Sequence, residues 1–327
     1  MKKNPLQIIL GLGFLALYGV CSKNPKGITN PVSKTPSNQW VQTSGGPSGH
    51  VWSLAVKGGN IYAGMAGGGI YLSTNNGLSW TSENSNLSTY DVYSFAISGN
   101  YIFAGTGGGG IYLSTNNGYI WITVNSGLPA NSAVLSLTAS GNNIFAGTLN
   151  GVFLSANNGS TWTAVNSGLT CWQIESLAAS DSNIFAGTSV DGVFQSTNNG
   201  TSWNPVNSGL PTGTCSITAL VVIGNYIFAG ISSIGNGGDG IYLSTNNGKS
   251  WSAVNNGLTN GNVTSFAVSG NNIFAGTIDG VFLSNDNGTS WASFNSGLPD
   301  SSGVALAVSG SNIFAGTKNG IFYTPLP

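Results

Sequence analysis

Apart from the many Ser, Thr and Tyr hydroxyls, the residues able to do acid–base or nucleophilic chemistry are few enough to name. His50 is the only histidine, Glu83 and Glu175 are the only glutamates, and the other acidic side chains are Asp. All eight basic residues are Lys, at positions 2, 3, 23, 26, 34, 57, 249 and 318, so the chain has no Arg. Cysteine occurs only as Cys21, Cys171 and Cys215. Zinc chemistry built on His pairs or Cys-x-x-Cys is excluded by this count, and no metal or cofactor is expected. Clustered Lys and Arg that could release phosphate counterions are missing as well, which argues against nucleic acid as a partner. Glycoside hydrolysis would need two carboxylates about 5–10 Å apart. Glu175 and Asp91 are the pair to consider, and His50 beside Asp91 is the weaker candidate for a general acid–base dyad. A plain structural His–Asp contact accounts for the second pair equally well.

What positions these groups follows from an internal repeat. Ile144-Phe145-Ala146-Gly147-Thr148 recurs in seven copies, beginning at Ile61, Ile102, Ile144, Ile184, Ile227, Ile273 and Ile313. A second element, Ser73-Thr74-Asn75-Asn76-Gly77-Leu78-Ser79-Trp80, returns from Ser114, Ser155, Ser196, Ser244 and Ser284, at spacings of 41, 41, 41, 48 and 40 residues. Each unit reads as four short strands separated by Ser-Gly-Asn, Asn-Gly or Asp-Gly, and Asn-Asn-Gly turns. Four antiparallel strands in about 40 residues, repeated around a ring, predict an all-β fold, a seven-bladed β-propeller. The last unit stops before its Trp-containing fourth strand, and Gln39-Trp40-Val41-Gln42-Thr43-Ser44-Gly45 matches what is missing. The N-terminal strand is therefore expected to close the last blade. Ile-Phe-Ala-Gly-Thr does not alternate apolar with polar, as suits sheets buried on both faces, and its Ala and Gly let neighbouring sheets approach.

Comparison of the units with one another separates core from rim. One position at the start of the inner strand reads Val51, Val92, Val134, Ile174, Ile217, Val263 and Gly303, nearly always β-branched, hence core. The next reads Trp52, Tyr93, Leu135, Glu175, Thr218, Thr264 and Val304, and the preceding ones include His50, Tyr90, Asp91, Trp172, Gln173, Cys215 and Asn262. These open beside the central channel, on the face that also holds the insertion from Ser232 to Asp239. Aromatic rings next to neutral polar groups suit stacking on a sugar or a peptide. The expected ligand-binding mouth is Trp52, Tyr90, Tyr93, Trp172, Gln173, Glu175 and Asn262; the competing reading has the aromatic residues merely plug the channel. Asp191, Asp239 and Asp279 precede Gly in turns where other units use Asn, so turn formation explains them. Cys171 and Cys215 open the inner strands of adjacent units and could bridge in an oxidising compartment, or remain two small thiols.

Ser-x-Asn-x-Gly-x-Ser/Thr-Trp resembles the Asp-box, or bacterial neuraminidase repeat, usually Ser-x-Asp-x-Gly-x-Thr-Trp. Here Asn75, Asn116, Asn157, Asn198 and Asn246 stand at the Asp position, Asp286 is the only acidic copy, and Ile120 replaces the hydroxyl residue in copy two. The resemblance implies structural corners on the periphery, remote from any reacting centre. In blade number and size the chain is similar to the photosystem II stability/assembly factor-like family, exported seven-bladed propellers. A sialidase resembling its family would grip the substrate carboxylate with three Arg, a bidentate geometry Lys cannot reproduce; the lack of Arg excludes that activity.

Lys2 and Lys3 followed by the apolar run from Leu6 to Leu17 read as an export signal over residues 1–21. Leu17-Tyr18-Gly19-Val20-Cys21 resembles a bacterial lipobox, which implies lipidation of Cys21; an ordinary cleaved signal is the alternative. Pro25, Pro31 and Pro36 among Ser, Thr, Asn and Lys give residues 22–38 the composition of a solvated tether, leaving 39–327 as the propeller. Charged residues make up 5% and hydrophobic ones 40%, at a net charge of -1. That apolar share predicts a packed core, with Asn, Ser and Thr rather than charge coating the turns. The whole reads as an exported monomer of the bacterial envelope or exterior, touching membrane only through an N-terminal lipid. Its function is expected to be noncatalytic binding of a protein or glycan, with a carbohydrate-active enzyme as the competing reading.

Overall fold

The computed structural model describes residues 39–327 except 85–86, 88–90, 181, 212–214, 234–239, 260 and 300–303, and except the side chains of Cys215 and Ser233. The export signal, Cys21, the tether, Tyr90 and Asp239 lie outside the described residues.

Among the described residues, twenty-eight strands form seven antiparallel sheets of four, six of them sequential meanders. In the third blade, for example, Val134–Ser140, Asn143–Thr148, Gly151–Ser155 and Thr163–Ala164 follow one another from the channel outward. The seventh sheet is made from both ends of the chain. Val41–Gln42 pairs with Gly320–Pro325, with Val41 opposite Tyr323 and Gln42 opposite Phe322. The fold is a seven-bladed β-propeller closed by its N-terminal strand.

The Ile-Phe/Tyr-Ala-Gly stretch of the second strand is buried in every blade, and the Gly in its Ala-Gly pair sets the distance between blades. A Cβ on Gly147 would stand 2.7 Å from Ile174 of the next blade, and one on Gly230 2.7 Å from Val263. Only a residue without a side chain lets the β-branched residue of the following inner strand settle into that space. The corner elements hold the outside. Within each, the first Ser hydroxyl accepts from the Gly N–H (Ser155 Oγ from Gly159, 2.8 Å), while Asn157 Oδ1 accepts from the Thr161 N–H at 3.0 Å. The second Asn is left-handed in all six copies, at φ 54–58° from Asn76 to Asn287, a conformation that Asn tolerates better than other side chains. The Trp that follows points back to the preceding blade. Trp162 Nε1 donates to Val124 O at 2.7 Å, and Trp203, Trp251, Trp291 and Trp40 repeat the bond to Val165, Val206, Val254 and Phe294. Asn therefore does the work of Asp in these corners, as its amide oxygen allows.

One register differs from expectation. The repeat spacing aligns Gly303 with the buried β-branched position and Val304 with the rim, but Val304 occupies the buried position. Its carbonyl accepts from Ser265 Oγ, as those of Val92 and Ile217 accept from Ser53 and Ser176, and it is Val304 that covers Gly276. Ala305 then pairs directly with Gly316.

Candidate functional site

Six of the seven inner strands share an irregularity that builds the channel mouth. In blade one the pairing passes from Val51 opposite Met65 to Ser53 opposite Gly64, so Trp52 has no partner. The same β-bulge isolates Tyr93, Leu135, Glu175, Thr218 and Thr264 in blades two to six. A bulged residue leaves the ladder and its side chain is re-aimed. Here the six side chains converge on a cavity of about 300 Å³, whose wall on the seventh side is Val304 and Ala305. Among the described residues, blade seven has no bulge and supplies no projecting side chain. A second space of about 300 Å³ continues down the channel past Ser53, Ser94, Ser176 and Ser265 to Leu54, Phe95, Leu220 and Phe266.

The hydroxyls of the wall tie the blades together. Thr218 Oγ1 donates to Val263 O at 2.5 Å and Thr264 Oγ1 to Val304 O at 2.8 Å, each reaching the next inner strand. Ser94 Oγ is buried without a hydrogen-bond partner. Glu175 receives a 2.6 Å bond from Gln173 Nε2 on one oxygen. It is the only carboxylate on the mouth wall among the described residues, which include no basic residue there.

Around this wall lies a rim. His50 stacks on Trp52 with ring centroids 3.9 Å apart, and Trp52 meets Tyr93 edge-on at 5.6 Å. Burial pushes the His50 imidazole below its ordinary pKa; the Asp91 charge pulls it up, and Lys318 lowers it further. Its Nε2 is buried without a hydrogen-bond partner. Asp91 Oδ1 accepts from the Gly67 N–H at 2.6 Å and Oδ2 from the Tyr93 hydroxyl at 3.0 Å. Burial, then the bond and charge of Asp91, hold the Tyr93 phenol above its usual pKa. Asp91 is thus a bracket joining the second-to-third-strand turn of blade one to Tyr93, and it stands outside the mouth wall that Glu175 lines.

Trp172 is 58% exposed, and its carbonyl accepts from the Gly151 N–H at 2.6 Å. Gln173 O accepts from the Ser189 N–H at 3.1 Å, so the turns carrying exposed Leu149 and Val190 flank the approach to Glu175. Asn262 Oδ1 accepts from Ser232 Oγ at 2.9 Å. Cys171 is a buried free thiol whose Sγ lies 3.5 Å from Ser189 Oγ; Cys215, the partner considered for it, has its side chain outside the described residues.

Of the expected mouth residues, Trp52, Tyr93 and Glu175 come together on the wall, whereas Trp172, Gln173 and Asn262 stand on the rim. Leu135, Thr218 and Thr264 complete the wall, and the sequence signal for them is the repeat position they share with Trp52. No group of three His, Cys, Asp or Glu able to hold a metal comes together among the described residues.

A family model described as DUF6242 beta propeller domain matches residues 94–226. No curated protein matches the chain in sequence. Solved structures do match it in fold. The extracellular domain of the putative hybrid two component system BT4673 from B. thetaiotaomicron has a TM-score of 0.71 at 18% identity, over 88% of this chain and 40% of that one. YCF48 bound to D1 peptide has a TM-score of 0.65 at 15% identity, over 88% of this chain and 96% of that one. The GH74 enzyme of Niastella koreensis has a TM-score of 0.69 at 18% identity, over 87% and 53%. The chain thus spans about two fifths of the BT4673 domain and about half of the GH74 enzyme. In fold it is similar to the photosystem II assembly factor-like group, through YCF48, over almost the whole of both chains.

Proposed function

We propose that this propeller is an exported, noncatalytic binding module that takes a protein segment or a glycan at its channel mouth. The observation that carries the reading is the ring of six bulged residues, Trp52, Tyr93, Leu135, Glu175, Thr218 and Thr264, around a cavity of about 300 Å³. The Ile-Phe-Ala-Gly and corner segments are held nearly constant by packing, whereas the position whose side chain leaves the sheet varies from unit to unit. Aromatic, apolar, acidic and hydroxyl groups at this concave point match the usual make-up of a ligand site. The peptide-bound state of YCF48 and the extracellular placing of the BT4673 domain support the class of function, and fold likeness alone carries no more than that.

Catalysis by Glu175 and Asp91 is the competing reading, and the commitment of both Asp91 oxygens to Gly67 and Tyr93 weighs against it. The test is binding of the purified chain to glycan and peptide panels, with products scored as well as retention. Retention that is lost in Trp52→Ala is expected. Cleavage of a polysaccharide that is abolished by Glu175→Gln would overturn the noncatalytic reading. Lipid anchoring through Cys21 belongs to the same proposal and is checked by mass spectrometry of the mature N-terminus.

A further inference from the structure

We propose that the mouth is built for a cation, the charged end of a Lys or Arg side chain presented by a protein segment. This rests on the mouth being a binding site and names what it takes.

Glu175 projects from blade four and Trp52 from blade one, so they face each other across a ring of seven, with Tyr93 next to Trp52. A cation between them is attracted by the carboxylate on one side and meets the Trp52–Tyr93 pair on the other, where His50 already covers one face of Trp52. One Glu175 oxygen is occupied by Gln173, and the other meets no hydrogen-bond donor among the described residues. The hydroxyl protons of Thr218 and Thr264 are given to the carbonyls of Val263 and Val304. Their remaining lone pairs can accept from an ammonium or guanidinium but the groups bring no competing donor. A cavity of about 300 Å³ holds one long side chain, at the small end of the range for ligand pockets.

Charge is sorted between the two faces of the ring in the same sense. Asp91 and Glu175 at the starts of inner strands, Asp191 and Asp279 in the second-to-third-strand turns, and Glu83 after the outer strand of blade one share the mouth face with Lys318 and with His50, whose neutral form burial favours. On the opposite face, at the hairpin and corner turns, the described charges are Lys57, Lys249 and Asp286. The negative potential of the mouth face draws a basic partner and repels an acidic one. A neutral glycan would gain nothing from this distribution. Exposed Leu149, Trp172 and Val190 beside Glu175 supply the apolar footing that a chain segment has and a free amine lacks.

The experiment uses the full chain and fluorescent heptapeptides with a central Lys or Arg between two Leu, together with norleucine and Glu versions, and agmatine as a free cation. The Lys and Arg peptides should bind at least about tenfold more tightly than the norleucine peptide, and the Glu peptide more weakly still. Glu175→Gln should remove that preference while leaving the melting temperature unchanged, and Trp52→Phe should retain more of it than Trp52→Ala. Equal binding of the Lys and norleucine peptides, with loss in Trp52→Ala, would overturn the cation while leaving the mouth in place. Agmatine binding as tightly as the Arg peptide would overturn the protein segment as the source. Absence of binding by every peptide would overturn the proposal, and the glycan panel would then judge the mouth by itself.

Discussion

Val51 of the first blade lies directly over Gly316 of the last. A Cβ at position 316 would stand 2.5 Å from Val51 Cγ1 and 2.8 Å from its Cβ. The ring therefore closes at this point with the same interlock that joins every other pair of blades. Because the clashing atoms belong to a stiff β-branched side chain, Gly316→Ala should destabilise the protein by about 1–3 kcal/mol, as overpacking does. Urea unfolding reads this directly, and an unchanged midpoint would mean that the first and last blades are not in contact.

The second closure is the N-terminal strand. Trp40 is 2% exposed and donates from Nε1 to Phe294 O at 2.6 Å and from its backbone N–H to Ser296 O at 2.8 Å, two links that join it to the sixth blade. Trp40→Ala should cost about 3–5 kcal/mol. Deletion of residues 39–45 should cost more, since it also exposes the edge of Gly320–Pro325. A truncated chain with the thermal melt of the parent would contradict the pairing of Val41 with Tyr323.

Asp286 is the one acidic corner. Hydrogen bonds from the side chain and backbone of Ser290 and from Ser284 hold its carboxyl down at about 2, against an ordinary 3.8. Its contribution to stability is therefore complete above 3.8 and disappears as pH falls toward about 2. Near neutral pH, Asp286→Asn should change stability by less than about 0.5 kcal/mol, because Asn157 and its counterparts make the same backbone bond. Acid titrations of the two proteins should diverge only in that low window.

His50 gives the opposite end of the pH scale. Burial favours its neutral form in the folded protein, so the unfolded chain binds the proton more readily. Stability from this residue is full above 6.5, its ordinary pKa, and fades as pH falls below that value. His50→Gln should flatten the dependence of the unfolding midpoint below pH 6.5. A slope that survives the substitution would place its origin elsewhere.

Seven units, their four strands and the closing role of residues 39–45 were legible because turn chemistry and the Ile-Phe-Ala-Gly-Thr segment repeat almost without variation. Trp52, Tyr93 and Glu175 were legible as rim candidates because they vary where their neighbours do not. What could not be read was the bulge. A residue such as Leu135 or Thr218 is compatible with a regular strand in composition, and only the shift in pairing reveals that its side chain leaves the sheet. The same blindness put Val304 one place out of register, since a strand without its bulge is one residue shorter, and counting along the repeat cannot say where the residue was lost.

That shorter strand has a consequence for recognition. A ring of identical units would offer any guest seven equivalent orientations and so could not tell one from another. Six projecting side chains and one smooth sector at Val304 and Ala305 abolish the rotational degeneracy. The missing bulge gives the circle a fixed zero from which the positions of Trp52 and Glu175 are reckoned, so that a guest at the proposed mouth would be held at a single angle.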